Sequence, residues 1–409
     1  MKHGDTLKCV ILITCSVVLF GLLGHRIQKL ENSNATSNTR LKEVEENIKQ
    51  VLSARSLQES PPFSKDEHGW WVADEAMFSF PKGIVVGIRE KNCDYGNATL
   101  SVNTDKGSPE IGNCPEGEGS VVFGRQNKAT GPYSSVTGGS YNVASGQLSS
   151  VSGGYVNVVS GYWSSVSGGR LNTASNSGAS VSGGHHNVAS GSESSVSGGK
   201  YNAANKLFSS VTGGMNNKAE GYASTVSGGS NNVPSGENSS VSGGFDNAPS
   251  GLDSSVSGGR SNEAAGERSS ISGGSHNVAS GLVSSVVGGS RNTASGFDST
   301  VSGGKNNRSY GRESSISGGF RNKSRGRSSS ISGGEGNAAS GFLSSVSGGA
   351  NGKAIGKYSS ILGGTYNIVA TTAIAASVSG GHGNEANAMR SSVAGGKNQK
   401  AKTPYSVVV

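Results

Sequence analysis

Large apolar side chains are scarce in this chain of 409 residues. Hydrophobic residues make up only 32% of it and aromatic residues 6%, whereas glycine alone contributes 66 residues. A long stretch of this composition cannot build an ordinary core of leucine, isoleucine and phenylalanine. It either stays disordered or buries small side chains in a repetitive lattice.

Cysteine is also scarce, with four in the chain. No two of them stand in a CxxC pattern, which argues against a zinc site. Cys9 and Cys15 lie inside an apolar stretch. Cys93 and Cys114 flank a short polar segment and are candidates for a disulfide in an oxidising compartment.

Charged residues are sparse, at 15% of the chain, with a net charge of +8. Lysine and arginine stand singly through the sequence, and no basic run or helix with interleaved aromatics suggests nucleic-acid binding. The positive balance permits attraction to acidic glycans, phosphate or lipid headgroups. We therefore expect no nucleic acid among the partners.

The sequence lacks the converging set of unlike residues that catalysis needs. Its many serines have no partnered histidine and acid, and the GGxGxDx nonapeptides of calcium-binding rolls do not occur. His185, His186, His276 and His382 occupy variable positions of the repeats described below, where surface residues are expected. We expect no enzyme, no metal and no cofactor.

The N-terminal segment contains the one long apolar run. Residues 9–24, CVILITCSVVLFGLLG, are uncharged and mostly apolar, which predicts a transmembrane helix or export signal within residues 1–25. An uncleaved signal-anchor is favoured over a cleaved signal, because Leu-Leu-Gly is a poor cleavage site. The expectation is a single-pass membrane protein with its repeats extracellular or lumenal; a secreted protein is the alternative.

Residues 26–58 predict a short coiled-coil stalk, with a lone amphipathic helix as the alternative. The heptad a positions fall on Ile27, Leu41 and Ile48, and the d positions fall on Leu30, Val44 and Val51. Valine at the d positions favours three strands. Residues 59–119 begin with a helix-breaking Pro-Pro and then mix short apolar alternations with turn residues, which predicts a linker and a neck that caps the following stack.

From residue 120 to residue 401 the chain repeats every fifteen residues as SSVSGGxxNxASGxx, which we number as positions 1 to 15. Valine or isoleucine recurs at position 3 from Val136 to Ile361 without a slip, and twice more after a two-residue insertion near residues 370–375. A disordered tract has no reason to keep such spacing. The pattern predicts an all-β, parallel β-roll or β-solenoid of about nineteen turns, followed by a tail at residues 402–409.

Each repeat contains two short extended segments separated by glycine corners. The aliphatic residue at position 3 and the alanine at position 11 are expected to point inward, and the serines at positions 2 and 4 outward. The Gly-Gly and Ser-Gly pairs are expected to supply the positive φ angles of the corners.

Asparagine occupies position 9 in seventeen of the nineteen turns, with Gly352 and Gln399 as the exceptions. A residue present on nearly every turn favours a structural role over ligand binding. Amides hydrogen-bonded along a column, or tolerance of a left-handed corner, would each explain it. The predicted column comprises Asn127, Asn142, Asn157, Asn172, Asn187, Asn202, Asn217, Asn232, Asn247, Asn262, Asn277, Asn292, Asn307, Asn322, Asn337, Asn367 and Asn384.

Five Asn-x-Ser/Thr sites occur, at Asn34, Asn97, Asn238, Asn307 and Asn322. The last two belong to the asparagine column and would be poor acceptors if their side chains are bonded there. Asn97 and Asn238 are therefore the candidates for glycosylation.

Ser120 to Gly124, SVVFG, followed by Asn127, Ala129 and Gly131, is similar to the SVAIG…A.A.G unit of the YadA-like heads of trimeric autotransporter adhesins. Later turns resemble the fifteen-residue variant of that unit, over about residues 120–401. The resemblance implies a left-handed parallel β-roll, a homotrimer and an adhesive surface on a coiled-coil stalk. The chain departs from the family in carrying glycine at position 5 and in ending KNQKAKTPYSVVV, so its anchor is expected at the N-terminal span instead of a C-terminal membrane barrel.

These features together predict a membrane-anchored, extracytoplasmic fibrous protein. Its ligand would be a glycan, a matrix component or a cell surface, held through positions 7, 8, 10, 14 and 15. A passive spacer or coat protein is the alternative. An ice-binding face of serines at positions 1, 2 and 4 is less favoured, because such faces are expected to use threonine.

Overall fold

The computed structural model describes residues 44–47, 49, 63–68, 71–73, 80–103 and 112–409. Residues 44–47 and 49 are helical, but the predicted membrane segment and most of the predicted coiled coil lie outside the described residues. The chain divides into two units, Met1–Ser79 and Phe80–Val409. In the first unit, strands Phe63–Lys65 and Trp71–Ala73 pair antiparallel.

The second unit is an all-β parallel solenoid of about 21 turns. A first sheet runs through the whole unit, and each of its strands pairs in parallel with the equivalent strand one turn later, as Val136 does with Val151. At a rise of about 4.8 Å per turn the stack is about 100 Å long. The strands of the first sheet are Gly83–Val86, Thr99–Asn103, Val121–Gly124, Ser135–Val136, Ser150–Val151, Ser165–Val166, Ser180–Val181, Ser195–Val196, Ser210–Val211, Thr225–Val226, Ser240–Val241, Ser255–Val256, Ser270–Ile271, Ser285–Val286, Thr300–Val301, Ser315–Ile316, Ser330–Ile331, Ser345–Val346, Ser360–Ile361, Ser377–Val378, Ser392–Val393 and Val407–Val408.

A second parallel sheet, formed by positions 10 and 11, has two sections. Between the sections, Pro234 and Pro249 occupy position 11, and proline has no N–H to donate to the ladder. The first section consists of Cys114–Pro115, Lys128–Ala129, Val143–Ala144, Val158–Val159, Thr173–Ala174, Val188–Ala189, Ala203–Ala204 and Lys218–Ala219. The second consists of Glu263–Ala264, Val278–Ala279, Thr293–Ala294, Arg308–Ser309, Lys323–Ser324, Ala338–Ala339, Lys353–Ala354, Ile368–Val369, Glu385–Ala386 and Lys400–Ala401.

The solenoid is longer than the sequence pattern predicts. Strands Gly83–Val86 and Thr99–Asn103, inside the predicted neck, join the first sheet, and Val407–Val408 in the predicted tail completes it. Successive turns at the N-terminal end are offset by 16 residues from Gly83 to Thr99 and by 21 from Leu100 to Val121. These turns follow no fifteen-residue period, which is why the repeat does not reveal them.

The interior is narrow and made of small side chains. Valine or isoleucine at position 3 and alanine at position 11 are buried, as expected, and the serine at position 1 is buried beside them. One valine and one alanine contribute about 2–3 kcal/mol of apolar transfer per turn. Hydrogen bonds between turns must therefore supply much of the remaining stability.

The predicted role of the corner glycines is only partly correct. Of the Gly-Gly pair only the second residue has positive φ, as in Gly274 at +84°, and the glycine at position 13 does not. That residue is required for another reason: a Cβ on Gly281 would overlap the carbonyl of Gly296 in the next turn. The remaining left-handed corners, at positions 8 and 15, are formed mostly by other residues, such as His276 and Val283 with φ of 56° and 58°.

Candidate binding surface

The structure separates a uniform interior from a variable exterior. The side chains that change from turn to turn, at positions 7, 8, 10, 14 and 15, lie mainly on the outside; Trp163 at position 15 is 63% exposed. The repeated residues at positions 1, 3, 9, 11 and 13 are buried. Any recognition by this unit therefore depends on the outer positions, which the solenoid arranges as columns along its length.

Positions 14 and 15 form an exposed apolar ridge along the solenoid. Position 15 is a left-handed corner, which turns these side chains away from the interior. Tyr162 and Trp163 stack with ring centroids 4.6 Å apart, and Phe208 and Tyr222 meet edge to face at 5.8 Å. Apolar residues occupy these positions in thirteen of the nineteen turns, with polar interruptions such as Ser192–Glu193 and Arg312–Glu313. Exposed apolar surface that recurs over so many turns is typical of an interaction surface. The apolar ridge comprises Tyr133, Leu148, Tyr162, Trp163, Leu207, Phe208, Tyr222, Leu252, Leu282, Val283, Phe297, Leu343, Tyr358, Ile374, Met389 and Tyr405.

Positions 7 and 8 gather histidines and aromatic rings in the N-terminal half. His186 stacks on Tyr201 with ring centroids 5.1 Å apart, and His185 meets His186 edge to face at 4.6 Å. Desolvation lowers the pKa of His185, and the nearby His186, Lys200 and Arg170 lower it further. The side chain of His185 therefore favours the neutral imidazole at neutral pH, and this form is suited to stacking and hydrogen bonding.

A basic cluster forms on the face made by positions 8, 10 and 12, from Arg308, Arg321, Lys323, Arg325 and Lys353. These side chains line an open groove of about 600 Å³. Linear inspection of the sequence missed this cluster, because its members stand singly along the chain. Comparing equal repeat positions would have found it: Arg308, Lys323 and Lys353 all occupy position 10, and Arg308 pairs directly with Lys323 in the ladder.

Two carboxylates on the outer columns are held in their charged form. The pKa of Glu313 is lowered first by a hydrogen bond from Ser328, 2.9 Å away, and then by Arg327 and Arg312. The pKa of Glu385 is lowered by hydrogen bonds from Asn387 and then from Lys400, whose Nζ lies 3.1 Å from its carboxylate.

The asparagines of position 9 are buried and serve the backbone. Asn277 is typical: its Nδ2 donates to the carbonyls of Gly273 and Gly289 at 2.9 and 3.1 Å, and its Oδ1 accepts the N–H of Asn292 at 2.9 Å. Each amide thus joins two turns through main-chain groups, and the left-handed residue of the corner is its neighbour at position 8. With no exposed amide, the column offers nothing to a ligand.

The glycosylation candidates Asn97 and Asn238 are both exposed. The Nδ2 of Asn238 donates to Asp253 at 3.0 Å. Asn307 and Asn322 are fully buried, and each donates its amide nitrogen to two glycine carbonyls. Burial and bonding both disfavour the second pair as acceptors, while glycosylation of the first pair stays a prediction.

Cys93 and Cys114 are joined by a disulfide, with Cα atoms 5.6 Å apart and both residues buried. Glu116 lies beside them, its Oε1 3.1 Å from the Cys114 sulfur. Among the described residues this is the one grouping of histidine, cysteine or carboxylate side chains close enough to hold a metal ion. Disulfide-bonded sulfurs are not thiolate ligands, so the grouping is structural.

Compared with models of known protein families and with curated proteins, the sequence matches none. Within the described ranges, no helix is both long and apolar enough to cross a membrane.

Proposed function

We propose that this chain is a membrane-anchored, extracytoplasmic fibrous protein that attaches to a glycan, a matrix component or a cell surface through the outer columns of its β-solenoid. The observation that carries the proposal is the division of each turn into a uniform buried half and a variable exposed half. A scaffold of this kind keeps outer side chains at fixed spacing and tolerates changes in them without loss of the fold.

The proposed location rests on two features. The apolar residues 9–24 are suited to a membrane span. The disulfide between Cys93 and Cys114 is of the kind that persists in oxidising compartments and is rare in the cytosol. Both support a protein whose repeats lie outside the cytoplasm.

We also propose that the chain is a homotrimer. The similarity of its repeats to YadA-like heads supports this, and so does the apolar ridge, which a second copy would shield from water. Sedimentation of the full chain in detergent should give three times the mass of one chain. A monomer at micromolar concentration would contradict the trimer.

Attachment can be tested by presenting the full chain to panels of cells, matrix proteins and glycans. The wild type should bind at least one member, and a variant with the residues of positions 7, 8 and 10 shuffled among turns should lose that binding while keeping its β-sheet circular dichroism. A control with the exposed serines of position 4 changed to threonine, as in Thr137 and Thr212, should still bind. A wild type that binds nothing would favour a passive spacer.

A further inference from the structure

Positive charge is concentrated in one short stretch of the solenoid. Residues 305–327 contain seven of the 35 lysines and arginines and one of the 27 acidic residues of the chain. Coiling brings four of these cations together with Lys353 as the basic cluster, so charges that are far apart in sequence face one groove.

The basic cluster follows the axis of the solenoid. Arg308 and Lys323 are direct partners in the parallel ladder, and Lys353 lies two turns beyond Lys323 in the same column, with Ala338 between them. Arg321 and Arg325 flank Lys323 from positions 8 and 12 of its own turn. The small residues Gly336 and Ala338 leave the groove open.

The charges of the basic cluster are not compensated by the protein. In the described part of the chain, none of its five members forms an ion pair, whereas Lys400 in the same column lies 3.1 Å from its ladder partner Glu385. Arg312 and Arg327, next to the cluster, share Glu313. Like charges placed directly opposite in a ladder are destabilising, so the cluster does not exist to stabilise the fold.

We infer that the basic cluster binds an acidic polysaccharide lying along the solenoid axis. The column presents Arg308 and Lys323 about 4.8 Å apart and Lys353 about 9.6 Å beyond them, because the turn of Ala338 has no cation in this column. Such a row of charges suits an extended polymer carrying repeated anionic groups better than a single small anion. Arginine presents a planar fork of donors that matches sulfate and carboxylate oxygens. This inference rests on the proposed function and names the ligand class and its site.

Single-stranded nucleic acid fits the cluster less well. Proteins that bind it without sequence preference stack bases on free aromatic faces. No aromatic ring is among the described residues that line the groove. Outside it, the guanidinium of Arg321 lies 4.6 Å from the centroid of Phe320 and that of Arg325 lies 6.0 Å from the centroid of Tyr310, so a cation occupies one face of each ring. The groove thus offers charge without a platform for bases.

The test measures binding of the full chain to dextran sulfate, with plain dextran as its uncharged counterpart and polygalacturonate as a carboxylate polymer. The triple variant Arg308→Gln, Lys323→Gln, Lys353→Gln should bind the sulfated or the carboxylate polymer at least about tenfold more weakly, with a shallower dependence on salt. The matched control Lys128→Gln, Lys218→Gln, Lys400→Gln removes the same charge from the same column at dispersed turns. It should change affinity by less than about twofold.

Equal weakening by both triple variants would show diffuse attraction and overturn the inference, as would binding of plain dextran. Oligo-dT bound as tightly as dextran sulfate and lost in the same variant would overturn the polysaccharide assignment. Binding to other surfaces without any affinity for acidic polymers would overturn this inference alone and leave the proposed function standing. Circular dichroism of every variant excludes misfolding as the cause of lost binding.

Discussion

At the scale of the residue, the three glycines of one turn do different things. At Gly273, position 5, a Cβ would meet no atom within 4 Å, whereas at Gly281, position 13, it would overlap the backbone of the next turn. Gly274, at position 6, has a φ of +84°. The sequence alone does not distinguish the three glycines. Gly274 and Gly281 thus answer two different physical requirements and Gly273 answers neither, so substitutions can separate the three.

Alanine at Gly281 should destabilise the protein by about 2 kcal/mol or more, because its Cβ overlaps the Gly296 carbonyl. Alanine at Gly273 should be neutral or stabilising by up to about 1 kcal/mol, because it meets no atom and reduces the freedom of the unfolded chain. Thermal unfolding of the two variants measures the difference. Equal losses would show that the close approach at position 13 is not the reason for that glycine.

The gap in the asparagine column at Gly352 gives a second residue-scale prediction. Asparagine there would place an acceptor for the Asn367 N–H and donors for neighbouring glycine carbonyls, as its equivalents do at Asn337. Gly352→Asn should raise the free energy of unfolding by about 1–3 kcal/mol. Gly352→Ala is the control, since it restricts the unfolded chain without adding an amide, and a gain as large as that of asparagine would count against the column.

At the scale of the element, the second sheet is interrupted where Pro234 and Pro249 replace alanine. The stack itself continues, because Val233 donates to Asn247 and Glu220 donates to Pro234, both at 2.9 Å. The first sheet and the asparagine column also cross this point without a break. The turns are thus held by several parallel ladders, and the loss of one bond is tolerated.

Pro234→Ala should restore a ladder donor at position 11, since alanine supplies the missing N–H and fits the buried position that alanine fills elsewhere. The new amide should exchange with solvent as slowly as that of Ala219, which hydrogen exchange can measure. Fast exchange at residue 234 would mean that the interruption has another cause than the missing donor.

Contacts between neighbouring turns also set the response to acid. Because Ser328 and two arginines lower the pKa of Glu313, its charged form favours the folded state above its ordinary pKa, and this contribution is lost as pH falls through the lowered value. Ser328→Ala should raise the pKa of Glu313, as read from its side-chain carboxyl signal by NMR. Ser340→Ala, at position 12 of a nearby turn, should leave that pKa unchanged.

At the scale of the whole molecule, the solenoid of residues 80–409 is a one-dimensional stack. Each turn contacts its neighbours, so stability is approximately the sum of local terms. The disulfide at Cys93 and Cys114 lies at the N-terminal end, where turns of unequal length replace the regular repeat. It therefore closes the least regular part of the stack.

Replacing both cysteines with serine should destabilise that end by about 2–4 kcal/mol, because the unfolded loop gains freedom. Amide exchange should accelerate over residues 80–120 and stay unchanged beyond about residue 150, because the effect passes only between adjacent turns. Faster exchange throughout the solenoid would instead indicate a single cooperative unit.

The sequence by itself determined the architecture of residues 120–401. A valine at every fifteenth residue, with alanine and asparagine at constant offsets, predicts parallel strands stacked in register, because a slip by one residue would turn the aliphatic residue outward. The burial of positions 3 and 11 followed from that period, and so did the prediction of a structural role for asparagine at position 9. The bonds of the asparagines to main-chain groups of two turns did not follow from it.

Only the tertiary structure decided how many turns there are, which glycines need which freedom, and which outer residues meet. The irregular N-terminal turns have no period to detect, and a backbone contact such as that of Gly281 exists only once two turns are stacked. Arg308, Lys323 and Lys353 become neighbours because each turn of fifteen residues advances the chain by only about 4.8 Å along the solenoid axis. The surface proposed to bind a ligand therefore exists only once the turns are stacked, because its residues stand one or more turns apart in the sequence.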